Sequence, residues 1–147
     1  MYFTIEIIRD SAISMLVYIH AHLGISGPIQ PPDIEIIASQ QLEQIACPDG
    51  CSEIKGWTTP NNLVYLSADL DMNNSYDRSV IFHELVHHVQ YRHKLSIERT
   101  DCLTWKAREA QAYQMQIEWL QKTKTPFNSL RVNQAMRNFH RIKCPEP

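Results

Sequence analysis

The chain has 147 residues, of which 44% are hydrophobic and 20% charged, and its net charge is −2. One domain spanning 1–147 is the default at this length, which buries a core without staples. The balance excludes a disordered chain, the charge gives no electrostatic ground for nucleic-acid binding, and no apolar run approaches a membrane span.

The N-terminal stretch, MYFTIEIIRDSAISMLVYIH, lacks a basic n-region, and Arg9-Asp10 interrupts its apolar run. It does not read as a signal peptide. Ala12, Ile13, Leu16, Val17, Ile19 and Leu23 predict an amphipathic helix over 11–24 that stops near Gly24. GPIQPPD follows as a loop, and DIEIIA at 33–38 alternates enough for a strand. Residues 54–58 and 63–67 predict a hairpin around Thr59-Pro60-Asn61-Asn62. DLDMNNSYD is rich in turn residues and leads into a helix from near Ser75 to about Arg92. KLSIERT is a connector, and Asp101 is placed to cap a long helix through about Thr123. Pro126 prevents a simple continuation, and a last short helix is expected over 128–141. The class is α+β, a small antiparallel sheet with helices segregated against it.

Cys47, Cys51, Cys102 and Cys144 are the cysteines. An even count suits two disulfides and an exported protein, periplasmic or secreted. Pro48 and Gly50 let the chain turn between Cys47 and Cys51, and the Pro-rich tail around Cys144 would gain from being pinned to Cys102. The spacing is not the paired C-x-x-C of a structural zinc cluster. Free buried thiols are the plain alternative.

His83-Glu84-Leu85-Val86-His87 forms an H-E-x-x-H motif, a zinc-site signature when it lies on a helix. With Ile81 at zero and about 100° per residue, Phe82, Leu85, Val86 and Val89 fall in an arc of roughly 0–140°. His83 and His87 fall near 200° and 240°, with Glu84 near 300°. One side of the helix then packs into the core, and the other presents both histidines with the carboxylate beside them. The alternative is a surface helix that happens to be rich in histidine. His88 lies off this face.

Two residues compete as third ligand. His93 gives H-E-x-x-H-x-x-Q-x-x-H, the histidine spacing of metzincins, but Gln90 stands where that pattern has a helix-ending glycine. If the helix continues, His93 turns to the core side about 9 Å along the axis from His87. Met115 and Met136, the only methionines to offer as a Met-turn, sit in helical patterns. The other residue is Glu109. Cys102, Trp105, Ala112, Tyr113, Gln116 and Leu120 cluster on its face, while Gln111, Gln114, Glu118 and Lys122 lie opposite. A carboxylate inside an apolar stripe is costly unless paired or bound to metal. An ion pair with an arginine is the alternative.

Together these residues resemble the gluzincin class of zinc metallopeptidases, in which a glutamate on a following helix completes H-E-x-x-H. The small size resembles the single-domain minigluzincins. The resemblance covers roughly 62–120, and E-A-x-A-Y at 109–113 adds to it. It implies a zincin-like fold with Zn²⁺ held by His83, His87 and Glu109. It further implies peptide-bond hydrolysis by a metal-activated water with Glu84 as general base, and a peptide or protein substrate. Thermolysin-like members carry an aspartate four residues after the glutamate ligand, where this chain has Tyr113, which is expected either to orient a histidine or to face substrate. Tyr113 and Tyr91 are the candidates for stabilising the oxyanion. The strand at 63–67 is expected to pair with an extended peptide. The rival readings are a noncatalytic zinc-binding module, a metzincin-like peptidase using His93, and a structural domain without metal.

Overall fold

Apolar spacing and local stop signals set the elements of the computed structural model, which describes residues 5–47, 54–95, 102–123 and 126–144, with the backbone alone at 126–129. Cys51, the connector at 96–101 and the cap at Asp101 lie outside the described residues. The first helix, α1 (Ile5–Leu23), starts earlier than expected because Ile8 extends the inward stripe of Ala12, Met15, Leu16 and Ile19. Gly24 ends it at φ 67, a left-handed conformation that glycine adopts without a Cβ penalty. The Ile25 N–H then bonds back to the His20 carbonyl (2.9 Å) and the Gly24 N–H to that of Ala21 (3.3 Å), which closes a Schellman motif.

The strands are β1 (Asp33–Ile37), β2 (Gly56–Thr58) and β3 (Leu63–Ser67), in the order β1-β3-β2. The hairpin forms where expected: Trp57 pairs with Tyr65 in antiparallel register, and Asn62 takes the positive φ of the turn. The sheet is nevertheless mixed, not antiparallel, since β1 runs parallel to β3 with Ile34 opposite Val64. The cause is a helix that the sequence reading passes over, α2 (Ser39–Ala46), which returns the chain toward the end of the sheet from which β1 started. Both edges of β3 are therefore occupied, and the expected pairing of a peptide with 63–67 is corrected: the edge strand beside the cleft described below is β2.

Helix α3 (Ser75–Arg92) begins at Asn74, whose side chain accepts from the Asp77 N–H. Residues 81–90 are all buried, so the helix is enclosed on every side. Phe82, Leu85, Val86 and Val89 pack with α1 and with Val64 and Leu66 of the sheet in the main core. The opposite side meets α4 (Cys102–Lys122) and β2. Helix α5 (Pro126–His140) braces α4 through a second cluster of Ile117, Leu120 and Val132, with Tyr76, Tyr113, Trp119 and Met136 against it. No described helix is long and apolar enough to cross a membrane.

Cys102 and Cys144 form a disulfide with Cα atoms 5.5 Å apart, which agrees with an extracellular location. Cys47 is also disulfide-bonded. The Cys102–Cys144 bond spans 42 residues, and loop entropy at that length stabilises by roughly 4 kcal/mol. The double variant Cys102→Ala/Cys144→Ala should lose about that much in urea unfolding. Free thiols titrating in denatured, non-reduced protein would contradict the bond.

His20 is buried with Nδ1 unpartnered, and its ring meets that of His93 edge-on at 5.4 Å. Burial, and secondarily the charge of His93, lowers its pKa below 6.5. The unfolded chain binds a proton that the folded chain refuses, so this contribution to stability is complete above pH 6.5 and falls as the pH drops below it. Unfolding free energy measured from about pH 7.5 down to pH 5 should fall less steeply in His20→Gln than in wild type; equal slopes would exclude His20 as the source.

Candidate metal centre

His83 and His87, one helical turn apart on α3, point their Nε2 atoms at the same place, 3.1 Å from each other. Glu109 on α4 brings Oε2 to 3.0 Å from His83 Nε2 and Oε1 to 3.1 Å from His87 Nε2. These three residues can hold a metal ion. The expected ligand set is thus one cluster, and Glu109 lies on the inward face of its helix as its stripe requires.

The hydrogen bonds behind the histidines fix their tautomers. The Ser79 hydroxyl donates to the Tyr76 carbonyl at 2.6 Å, so it accepts from Gln116 Nε2 at 2.8 Å. That leaves Gln116 Oε1 facing His83 Nδ1 at 2.9 Å, and Nδ1 must carry the hydrogen. Gln90 Nε2 donates to the Arg108 carbonyl (3.0 Å) and to Gln111 Oε1 (2.8 Å), which turns Gln90 Oε1 to His87 Nδ1 at 2.8 Å. Both neutral imidazoles therefore present bare Nε2 lone pairs to each other and to a carboxylate. Such contacts at 3.0–3.1 Å are satisfied by a metal ion or by a proton among them. Tetrahedral zinc with bonds near 2.0–2.1 Å would set its ligand atoms about 3.3 Å apart, so the donor set and its spacing fit that ion.

The protonated, metal-free site shows the same demand. Burial pushes His87 down, but the Glu109 carboxylate outweighs it and holds the imidazole up at about 9. Burial raises Glu109 in turn, and the His87 charge with the two histidine hydrogen bonds overrides this and leaves its pKa well below the ordinary carboxylate value. One proton substitutes for a cation but satisfies three acceptor contacts poorly.

Glu84 is 8% exposed and stands outside the cluster. Thr58 on β2 holds it: the hydroxyl lies 2.8 Å from the Glu84 carbonyl and 3.0 Å from Oε1 and shares its one hydrogen between them. Gly56 makes the approach possible, since a Cβ there would meet Glu84 Cγ at 2.7 Å. His83, His87, Glu84 and Glu109 all line a cleft of about 980 Å³ walled by β2, α2, α4 and α5.

Tyr113 and Tyr91 also line this cleft. Tyr113 lays its ring against His83, with centroids 4.6 Å apart. Burial and then the Glu109 charge raise its pKa above the usual phenol value, so it remains a neutral O–H donor. Orienting the histidines falls to Gln116 and Gln90 instead. Gln116 was visible as an amide in the inward stripe of α4, whereas Gln90 had been weighed only as a missing glycine. His93 caps α3 and is not part of the cluster, and the helix runs through Gln90 as the spacing predicts. His88 donates from Nε2 to the Gln30 carbonyl at 2.9 Å and ties α3 to the loop before β1.

Zinc titration followed by dialysis should separate these roles. Glu109→Ala should lose most zinc affinity, and His93→Ala should bind as wild type. Gln116→Leu, which frees the tautomer of His83, should weaken binding about 10- to 100-fold. Loss of metal in His93→Ala with retention in Glu109→Ala would overturn the ligand set.

No curated protein and no solved structure matches the chain. A family model matches residues 9–137, a span that holds the whole cluster, Glu84 and both orienting glutamines. By that match the chain belongs to the family described as Domain of unknown function (DUF6647).

Proposed function

We propose that this chain is a zinc-dependent peptidase of gluzincin type. The observation that carries the reading is the convergence of two tautomer-locked imidazoles and Glu109 beside a separate, held carboxylate. A spectator carboxylate next to a metal-ligand cluster has an evident use in hydrolysis and none in a purely structural site. Bound zinc would polarise the scissile carbonyl and make a coordinated water acidic near neutral pH.

The chain's own groups supply the remainder. Glu84 takes a proton from the attacking water and returns it to the leaving amine. The Thr58 hydroxyl on Oε1 keeps that carboxylate in place through both transfers. Tyr113, a neutral phenol in the cleft wall, is the first choice as donor to the developing oxyanion, with Tyr91 the second; a donor in that role is worth about 10²–10³ in rate. The edge of β2 offers main-chain groups to an extended peptide beside Glu84, which presents a scissile bond without reading side chains.

Glu84→Gln keeps the side chain's shape and removes its basicity. It should bind zinc as wild type and lose hydrolysis of casein or a peptide library by at least about 10²-fold. Wild-type protein that holds zinc and cleaves nothing would indicate the noncatalytic module instead, and activity retained in Glu84→Gln would remove the general base.

A further inference from the structure

The cleft has charge at both ends, and the two ends differ. On the α2 side Glu43 and Asp69 line it, with Asp69 accepting from the Ser39 hydroxyl at 2.6 Å. On the α4 and α5 side Arg108 and Arg131 line it. Lys55, the remaining cation of the wall, is neutralised by Asp77 at 2.8 Å.

Arg131 stands out among these groups. Arg131 is exposed, and its guanidinium carbon lies over the Tyr76 ring, 3.7 Å from the centroid, a cation–π contact. Tyr76 is held by the Ile117–Leu120–Val132 cluster, so the platform under the guanidinium is fixed. Stacking covers the face of the guanidinium and leaves its in-plane N–H fork available. Among the described residues Arg131 joins no ion pair. A planar fork held over an aromatic ring, with no acidic partner among the described residues, can take a carboxylate in bidentate fashion. The function of the cluster makes no use of it.

We infer that Arg131 reads a carboxylate of the bound peptide on the α5 side of the metal centre, so that the cleft selects acidic ligands. The inference rests on the peptidase reading for its ligand class. Glu43 and Asp69 repel the same group from the opposite end and so set its direction. The carboxylate has two possible sources, a free C-terminus or an Asp or Glu side chain.

Binding to zinc-loaded Glu84→Gln protein tests this without requiring turnover. The probes are acetyl-hexaalanine as the free acid, the same peptide as the C-terminal amide, and the amide with one internal alanine replaced by glutamate. Affinities are read from calorimetry, with quenching of Trp57 and Trp105 in the cleft wall as a second signal. At least one acidic probe should bind about tenfold or more tighter than the neutral amide, as a charged hydrogen-bonded pair provides. The free acid winning identifies a C-terminal reader, and the internal glutamate winning identifies a side-chain reader. Adding Arg131→Gln should bring the acid-to-amide ratio close to one, and Arg131→Lys should leave it intermediate. Equal binding of acidic and neutral probes, or no binding by either acidic probe, overturns the inference. So does a preference that survives Arg131→Gln, which would place the carboxylate on the metal. A chain that discriminates through Arg131 yet hydrolyses no peptide would sink the peptidase reading and leave this one standing.

Discussion

His83 Nε2 and His87 Nε2 face each other at 3.1 Å with Glu109 closing the third side, and neither imidazole is free to turn away. Each is held at Nδ1 by a glutamine oxygen: Gln90 donates both amide hydrogens to α4, and Gln116 donates to Ser79. Lone pairs held this close repel one another, since burial of the two imidazoles limits the solvent that screens them. A proton on His87 relieves that repulsion in the metal-free site, and the cluster can hold a metal ion in its place. The same hydrogen bonds also fix the fold. Gln90 reaches from α3 to the backbone of α4, and Gln116 reaches back from α4 to Ser79 on α3. The register between the two helices and the tautomers of the two ligands are set by one network, so neither can drift without the other.

That coupling explains why α3 is enclosed. A helix carrying His83, Glu84, His87 and Gln90 on one side would ordinarily turn that side to water. Here α4 and β2 cover it, and each of these four side chains finds a partner in the cover. Gly56 lets β2 come close enough for Thr58 to reach Glu84. The N-terminal part of α4 has few buried apolar residues, since Ala112 is the first fully buried side chain along it. The Cys102–Cys144 bond and the packing of α5 therefore hold the end of the helix that delivers Glu109.

Much of this was legible because it is local. H-E-x-x-H fixes two ligands one turn apart, Gly24 marks a helix end, and the stripe around Glu109 shows which way it faces. The absence of glycine at 90 keeps α3 straight and takes His93 out of the site. The unread features are non-local or lack a period. In α2 only Leu42 is buried, too few apolar positions to signal a helix. Without a signal for α2, nothing in the local pattern shows that β1 runs parallel to β3. A glutamine becomes an orienting residue only when another helix supplies the acceptors that fix its amide, as Arg108 and Gln111 do for Gln90. The stacking of Arg131 on Tyr76 joins residues from α5 and α3 that no spacing rule connects.

The choice of glutamine over aspartate behind the histidines has an electrostatic consequence. In the thermolysin-like pattern a carboxylate orients one ligand and adds negative charge to the surroundings of the metal. Here both orienting groups are neutral amides, and Tyr113 in the aspartate's position is a neutral phenol. An amide oxygen polarises an imidazole N–H less than a carboxylate does, so the ligands remain weaker donors. Under the proposed loading, Glu109 is the single anionic ligand of a divalent ion, and the Glu84 carboxylate stands beside the cluster as the second negative charge. A less neutralised ion acidifies its water more strongly and attracts anions more strongly. Glu84 then faces an easily lost proton. The neutral second layer, which departs from the pattern the motif suggests, is thus consistent with the proposed chemistry.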